Sequence, residues 1–269
     1  MKDLSNENII HIKKEGLEYI QFRKLLKYRN IVHCFTLKPM DFASNVTYEE
    51  KKQEVKDNLK KLSNELNFDV NNIYRPRQTH TDIVKVAGDG FEGIFNEKYN
   101  NVDGLVTNKK NKVLILGFAD CTPLFFYDQV KNVIANTHSG WKGTLQKIGV
   151  RTVEKMQKEY GCMPKDIICC IGPHIRKCHF EVEQDVREMF FEKFKDLENI
   201  NDIITYDSAK QKYYIDTLEI NKQILIRTGL KEENIIDSKI CTVCHSNICH
   251  SYRAEKDASG RAISIIEIK

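Results

Sequence analysis

Proline and glycine are scarce, 5 and 13 in 269 residues, and there is one tryptophan. These counts exclude a collagen-like or low-complexity chain. Long apolar runs are also missing: no stretch without a polar side chain exceeds the seven residues from Val113 to Ala119, against about 20 for a membrane-crossing helix. The first thirty residues scatter Lys, Asp, Glu and Asn among the apolar ones and show no secretory leader, so a cytoplasmic chain with no membrane partner is expected. Charge of one sign is lacking too. Lys plus Arg is 42 and Asp plus Glu is 38, a net +4, too slight and too interleaved to imply a nucleic-acid surface. What is present is 41% hydrophobic and 30% charged residues, the balance of a globular protein with a substantial core.

Cysteine runs against the trend. Nine of them, odd in number and unevenly spread, point to reduced thiols, some of them holding metal, rather than to a disulfide framework. Adjacent Cys169 and Cys170 lie inside an apolar run and read as core.

Apolar spacing predicts an amphipathic helix over Thr47–Asn67 (Val55, Leu59, Leu62, Leu66) and a second after Gly143, closed by Gly161. Others are expected around Val182–Phe194 and over Thr217–Thr228. Between them lie runs with the branched and aromatic content of strands, at Ile31–Thr36, Ile83–Val86, Val113–Phe118, Leu124–Tyr127, Val133–Asn136, Ile167–Ile171 and Ala262–Ile268. Alternating strands and helices predict an α/β or mixed α+β fold. With no repeat and no linker, residues 1–269 read as one domain, in which the polar stretch Lys195–Lys212 is the candidate long loop.

Three segments place a metal-ligand side chain beside a turn: RQTHTDIV around His80, FADCTPLFFYD around Cys121 and IANTHSGWKGT around His138. Two imidazoles and a thiolate suit zinc, and three protein ligands leave the open position of a catalytic site. Taken singly, each also fits a partly buried side chain with an ordinary hydrogen bond.

The strings RQTHTDIV, DGLVTN, ADCTPLFFYD, NTHSGWKGT, IGPHIRKCHFEV and SYRAEKDASGRAISI occur in an order that resembles the laccase-domain, or YfiH-like, family of purine nucleoside phosphorylases, over roughly the last two-thirds of the chain. The resemblance implies an αββα-type sandwich with mixed sheets and zinc held by His80, Cys121 and His138. It also implies cleavage of adenosine, inosine, guanosine or methylthioadenosine with phosphate, and adenosine deamination. The expected partners are therefore a purine nucleoside and phosphate, and the expected state is a monomer or weak homo-oligomer. The same family carries the labels multicopper polyphenol oxidase and peptidoglycan editing factor.

Phosphorolysis needs cations for the phosphate, and Lys142, Arg253 and Arg77 are the candidates. Lys142 stands where the family commonly has arginine and lacks its bidentate fork. Asp120, beside Cys121, is a candidate acid or base, or an orienting partner of a ligand. Copper oxidase chemistry calls for several copper sites and many histidines, whereas the chain has eight histidines with only His80 and His138 in a shared set. A hydrolase using Cys121 as nucleophile and His138 as base competes with the metal reading, because a metal-bound thiolate is occupied. Cys241, Cys244 and Cys249 with His245 or His250 form a further candidate ligand group, but so compressed a spacing favours ordinary loop and strand cysteines.

Overall fold

A computed structural model describes residues 3–43, 49–88 and 100–269. Its strands are β1 (Ile9–Lys14), β2 (Leu17–Phe22), β3 (Ile31–Thr36), β4 (Ile73–Tyr74), β5 (Val84–Val86), β6 (Gly104–Thr107), β7 (Val113–Phe118), β8 (Thr122–Asp128), β9 (Val133–Ser139), β10 (Ile167–Ile171), β11 (Glu181–Val182), β12 (Ile204–Asp207), β13 (Lys212–Ile215), β14 (Ile235–Asp237) and β15 (Ala262–Ile268). The α-helices are α1 (Glu49–Leu66), α2 (Trp141–Leu145), α3 (Ile148–Tyr160), α4 (Gln184–Phe194), α5 (Ile200–Ile203), α6 (Thr217–Arg227) and α7 (Tyr252–Glu255). The strands form two six-stranded sheets, ordered β1-β2-β3-β15-β7-β4 and β14-β10-β8-β9-β6-β5, and a three-stranded sheet β11-β13-β12. Both large sheets are mixed, with parallel pairs β4/β7, β10/β14 and β5/β6 among antiparallel ones.

Side-chain alternation along single strands explains the layering. In β15, Ala262, Ile266 and Ile268 join the core between the large sheets, while Ile263 and Ile265 pack with Leu59 and Leu62 of α1 on the outer face. β10 does the same on the second sheet: Ile168 and Cys170 face the first sheet, and Ile167, Cys169 and Ile171 pack with Val153 and Met156 of α3. The order helix, sheet, sheet, helix is the sandwich expected from the motifs. Such strands are buried on both faces, so they read as continuous apolar runs.

Helix ends follow local chemistry. The α3 helix stops at Gly161, whose φ of +65° lets its N–H reach the Gln157 carbonyl, the left-handed cap that glycine makes without strain. Asp216 caps α6 by accepting from the Glu219 N–H at 3.0 Å. The helix expected after Gly143 is divided in two, because Lys147 is left-handed (φ +59°) between α2 and α3. The first predicted helix is seen from Glu49, and Thr47 and Tyr48 lie outside the described residues. Residues 195–212 are not one loop. They hold α5 and β12, too short to show a period, and Ile203 and Ile204 anchor them in a core shared with Phe190 and Ile220. Among the described residues, no helix is long and apolar enough to cross a membrane.

A polar staple joins the two sheets inside the apolar layer. Asn136 of β9 donates from Nδ2 to the Leu114 carbonyl of β7 at 3.0 Å and to the Ser264 carbonyl of β15 at 3.2 Å, and accepts from Ser264 Oγ at 2.7 Å. All these groups are buried, so the bonds oppose a large desolvation cost. Asn136→Ala should lower unfolding stability in urea by about 2–4 kcal/mol, from unmet polar groups plus a cavity. The double variant with Ser264→Ala should cost less than the sum of the two single ones. Additive losses would show that the two side chains do not act as a unit.

Candidate metal centre and anion cleft

Both large sheets end at a cleft of about 1060 Å³. The first sheet delivers Ala119, Asp120 and Cys121 in the link from β7 to β8, and the second delivers His138 near the end of β9. His80 comes from the loop between β4 and β5. Ligand atoms of His80, Cys121 and His138 lie within 4.8 Å of one another, so the three predicted ligands, remote in sequence, do converge. Cys121 Sγ is 3.7 Å from His80 Nε2, and the two imidazole rings meet edge to face at 5.0 Å.

One buried carboxylate builds this arrangement. Asp103, at the start of β6, accepts from the backbone N–H groups of Thr79 (3.2 Å), His80 (3.1 Å) and Thr81 (2.8 Å) and from the Thr81 hydroxyl (2.8 Å). It also accepts a hydrogen bond from His138 Nδ1 at 2.8 Å. That bond sets the tautomer and leaves Nε2 as the lone pair for a metal. His80 is held left-handed, at φ +66°, a conformation uncommon outside glycine that surrounding structure must impose. Burial alone would raise the Asp103 pKa, but His138 and Thr81 hold it below the usual carboxylate value.

The remaining electrostatics concern a thiol and an imidazole. Burial opposes a charged Cys121, yet His138 and His80 draw its pKa down to about 6. Burial likewise disfavours a charged His138, while Cys121 and Asp103 raise it to about 9. A thiolate facing an imidazolium has the charge pattern of a ligand set in which a proton occupies the position of a cation. Space fits as well. A Cβ on Gly140 would come within 2.6 Å of the His80 ring and 3.2 Å of Cys121 Sγ, so only glycine permits this approach. The residues therefore fit a metal bound by two nitrogens and one sulfur.

The other predicted residues divide. Arg77 and Arg253 line the cleft, whereas Lys142 is exposed with its ammonium 5.4 Å from the Trp141 ring centroid, and it is Trp141 that faces the cleft. Arg253 donates to the carbonyls of His179 at 2.9 Å and Glu181 at 3.2 Å. Asp120, left-handed at φ +80°, accepts from Thr242 Oγ1 and from the Arg253 N–H, each at 2.6 Å. Its carboxylate thus ties the ligand turn to α7. Arg75, Lys256 and Arg261 also line the cleft, and sequence reasoning missed them along with Asp103. Buried Arg75, whose Nη2 donates to the Phe42 carbonyl, is held below the usual guanidinium range by burial, to about 10. A signal for Asp103 existed, since DGLVTN opens with an acid directly before a short strand of mainly apolar residues.

The sequence profile described as multi-copper polyphenol oxidoreductase laccase matches residues 37–269. The chain is 33% identical over 224 residues to the purine nucleoside phosphorylase YlmD of Bacillus subtilis strain 168, covering 82% of this chain and 79% of that one. It is 31% identical over 207 residues to the adenosine deaminase RL5 of an unknown prokaryotic organism, covering 76% and 78%. The fold is similar to the crystal structure of the Bacillus licheniformis hypothetical protein YfiH, with a TM-score of 0.85, 27% identity and coverage of 96% of this chain and 99% of that one.

Asp103→Asn keeps the shape but loses the charge that orients His138. Titrated with zinc against a chromophoric chelator, this variant should bind about 10–100-fold more weakly than the wild type, the usual cost of losing a carboxylate behind a ligand histidine. An unchanged affinity would remove Asp103 from the centre.

Proposed function

The chain belongs to the multi-copper polyphenol oxidoreductase laccase family, and on that premise we propose that it is a zinc-dependent purine nucleoside phosphorylase that also deaminates adenosine. The carrying observation is one cleft that, among the described residues, combines the His80, Cys121 and His138 set with five cationic side chains, Arg75, Arg77, Arg253, Lys256 and Arg261, against the single carboxylate of Asp120. Relatives named for both reactions support the same chemistry.

Two imidazoles and a thiolate suit zinc, with one position left for water or substrate. When bound there, the ion supplies a Lewis acid and lowers the pKa of a water it carries to about 7, which is what deamination requires. The chain's own residues do the rest. Cations on the wall attract the phosphate and hold it against the ribose. Trp141, Phe180 and Tyr252 offer aromatic faces in the same cleft, suited to a flat purine. Asp120, with both oxygens engaged, is a positioning residue that fixes the backbone of Arg253. His138 is kept in one tautomer by Asp103.

Placement of three further histidines weighs against copper oxidation of phenols. His33 accepts the Phe22 N–H, His174 bonds the Gly172 carbonyl and His250 the Met40 carbonyl. They are committed to the scaffold, where several copper sites would need them.

With inosine and phosphate, the purified chain should yield hypoxanthine and ribose 1-phosphate. His80→Ala, Cys121→Ala and His138→Ala should each lose the zinc of the cleft and this activity together. Free ribose formed equally fast without phosphate would refute phosphorolysis. Arg77→Ala should raise the KM for phosphate about tenfold or more, the worth of one charge-assisted contact. Lys142→Ala should act on the nucleoside KM through Trp141, so a rise confined to phosphate would return Lys142 to the anion site.

A further inference from the structure

We propose that Cys178, His179, Cys241 and Cys244 form a second, closed zinc site beside the cleft. These four side chains bring their ligand atoms within 4.8 Å of one another. Four of five separations among them match those of a tetrahedron, and the fifth, between the adjacent Cys178 and His179, is shorter. Zinc–sulfur bonds of about 2.3 Å and zinc–nitrogen bonds of about 2.0–2.1 Å put sulfurs about 3.8 Å apart and sulfur about 3.6 Å from nitrogen. Cys178 Sγ lies 3.6 Å from Cys241 Sγ and 3.8 Å from Cys244 Sγ. His179 Nδ1 lies 3.1, 3.7 and 3.5 Å from the sulfurs of Cys178, Cys241 and Cys244.

The local chain brings the sulfurs together. Cys241 and Cys244 stand at the ends of a C-x-x-C turn, and backbone groups of Cys244, Arg176 and Val243 hydrogen-bond the Cys241 sulfur. A backbone bridge between His174 and Cys241 holds the two segments in place. The grouping differs from the one drawn from sequence: Cys249 is buried in the core between the sheets, and His250 donates from Nε2 to the Met40 carbonyl. Cys178 and His179 take their places.

Three sulfurs and one nitrogen fill four positions, so this site is structural where the cleft set is open. It ties the segment after β10 to the one before α7. Both segments serve the cleft: Thr242 bonds Asp120, and the His179 carbonyl receives Arg253.

The test uses the whole chain purified under reducing conditions without a metal-chelating tag, with zinc measured by mass spectrometry. Wild type should carry two zinc ions per chain, and Cys178→Ser and Cys244→Ser one each. Cys121→Ala should also carry one, having lost the other. X-ray absorption on the wild type needs no variant to fold: three sulfurs at one ion and one at the other average two per zinc. The proposal is overturned by wild-type zinc content in both serine variants, by one zinc with one sulfur in the wild type, or by a Cys178 disulfide seen as a mass two hydrogens lower. If Cys121→Ala alone keeps both ions, the cleft assignment fails and this one stands.

Discussion

The Asp103 carboxylate is the contact on which the cleft depends. A fully buried charge is costly unless every lone pair is used, and here three backbone N–H groups, a hydroxyl and an imidazole use them. The same bonds hold the chain from Thr79 to Thr81 in the path that presents His80, and fix the ring of His138. A single anion thereby sets the positions of two ligands from different segments. Cys121 arrives independently, on a turn anchored through Asp120 to Thr242 and Arg253.

Around this centre the scaffold separates tasks by depth. The apolar layer between the sheets supplies rigidity, and the strand ends supply chemistry, because there the backbone leaves the ladder and side chains from remote segments meet. Positive charge collects along the cleft without any excess in the chain as a whole. A net +4 is compatible with five cations lining one cleft because many acids lie elsewhere, in exposed ion pairs such as Arg151–Glu154 and Lys195–Glu192.

Much of this was legible in the residues. Strands Ile31–Thr36, Val113–Phe118, Ile167–Ile171 and Ala262–Ile268 have the same bounds in the sequence reading and in the structure, since strands buried on both faces announce themselves as apolar runs. β1 and β2 escaped because Lys13, Lys14 and Glu18 interrupt their pattern, and β4 and β14 are too short to carry one. The three side chains that converge in the cleft, His80, Cys121 and His138, followed from motifs. Its support did not, because an acid such as Asp103 differs from a surface acid only by what folds around it. Lys142 shows the converse: proximity to His138 in sequence put it in the anion site, but the direction of its side chain follows the Trp141 ring. The cysteine group failed for the same reason, as Cys178 and His179 lie more than sixty residues before Cys241.

The link from β7 to β8 carries a further meaning. It is one of the points at which the chain crosses from one large sheet to the other, and Cys121 sits within it, while His138 belongs to the second sheet and the Asn136 staple locks that sheet to β7 and β15. A metal held by these side chains spans the seam of the sandwich. Sliding of one sheet over the other would alter its ligand angles, so the absorption of a coloured ion such as cobalt in that position would serve as a gauge of shear between the layers.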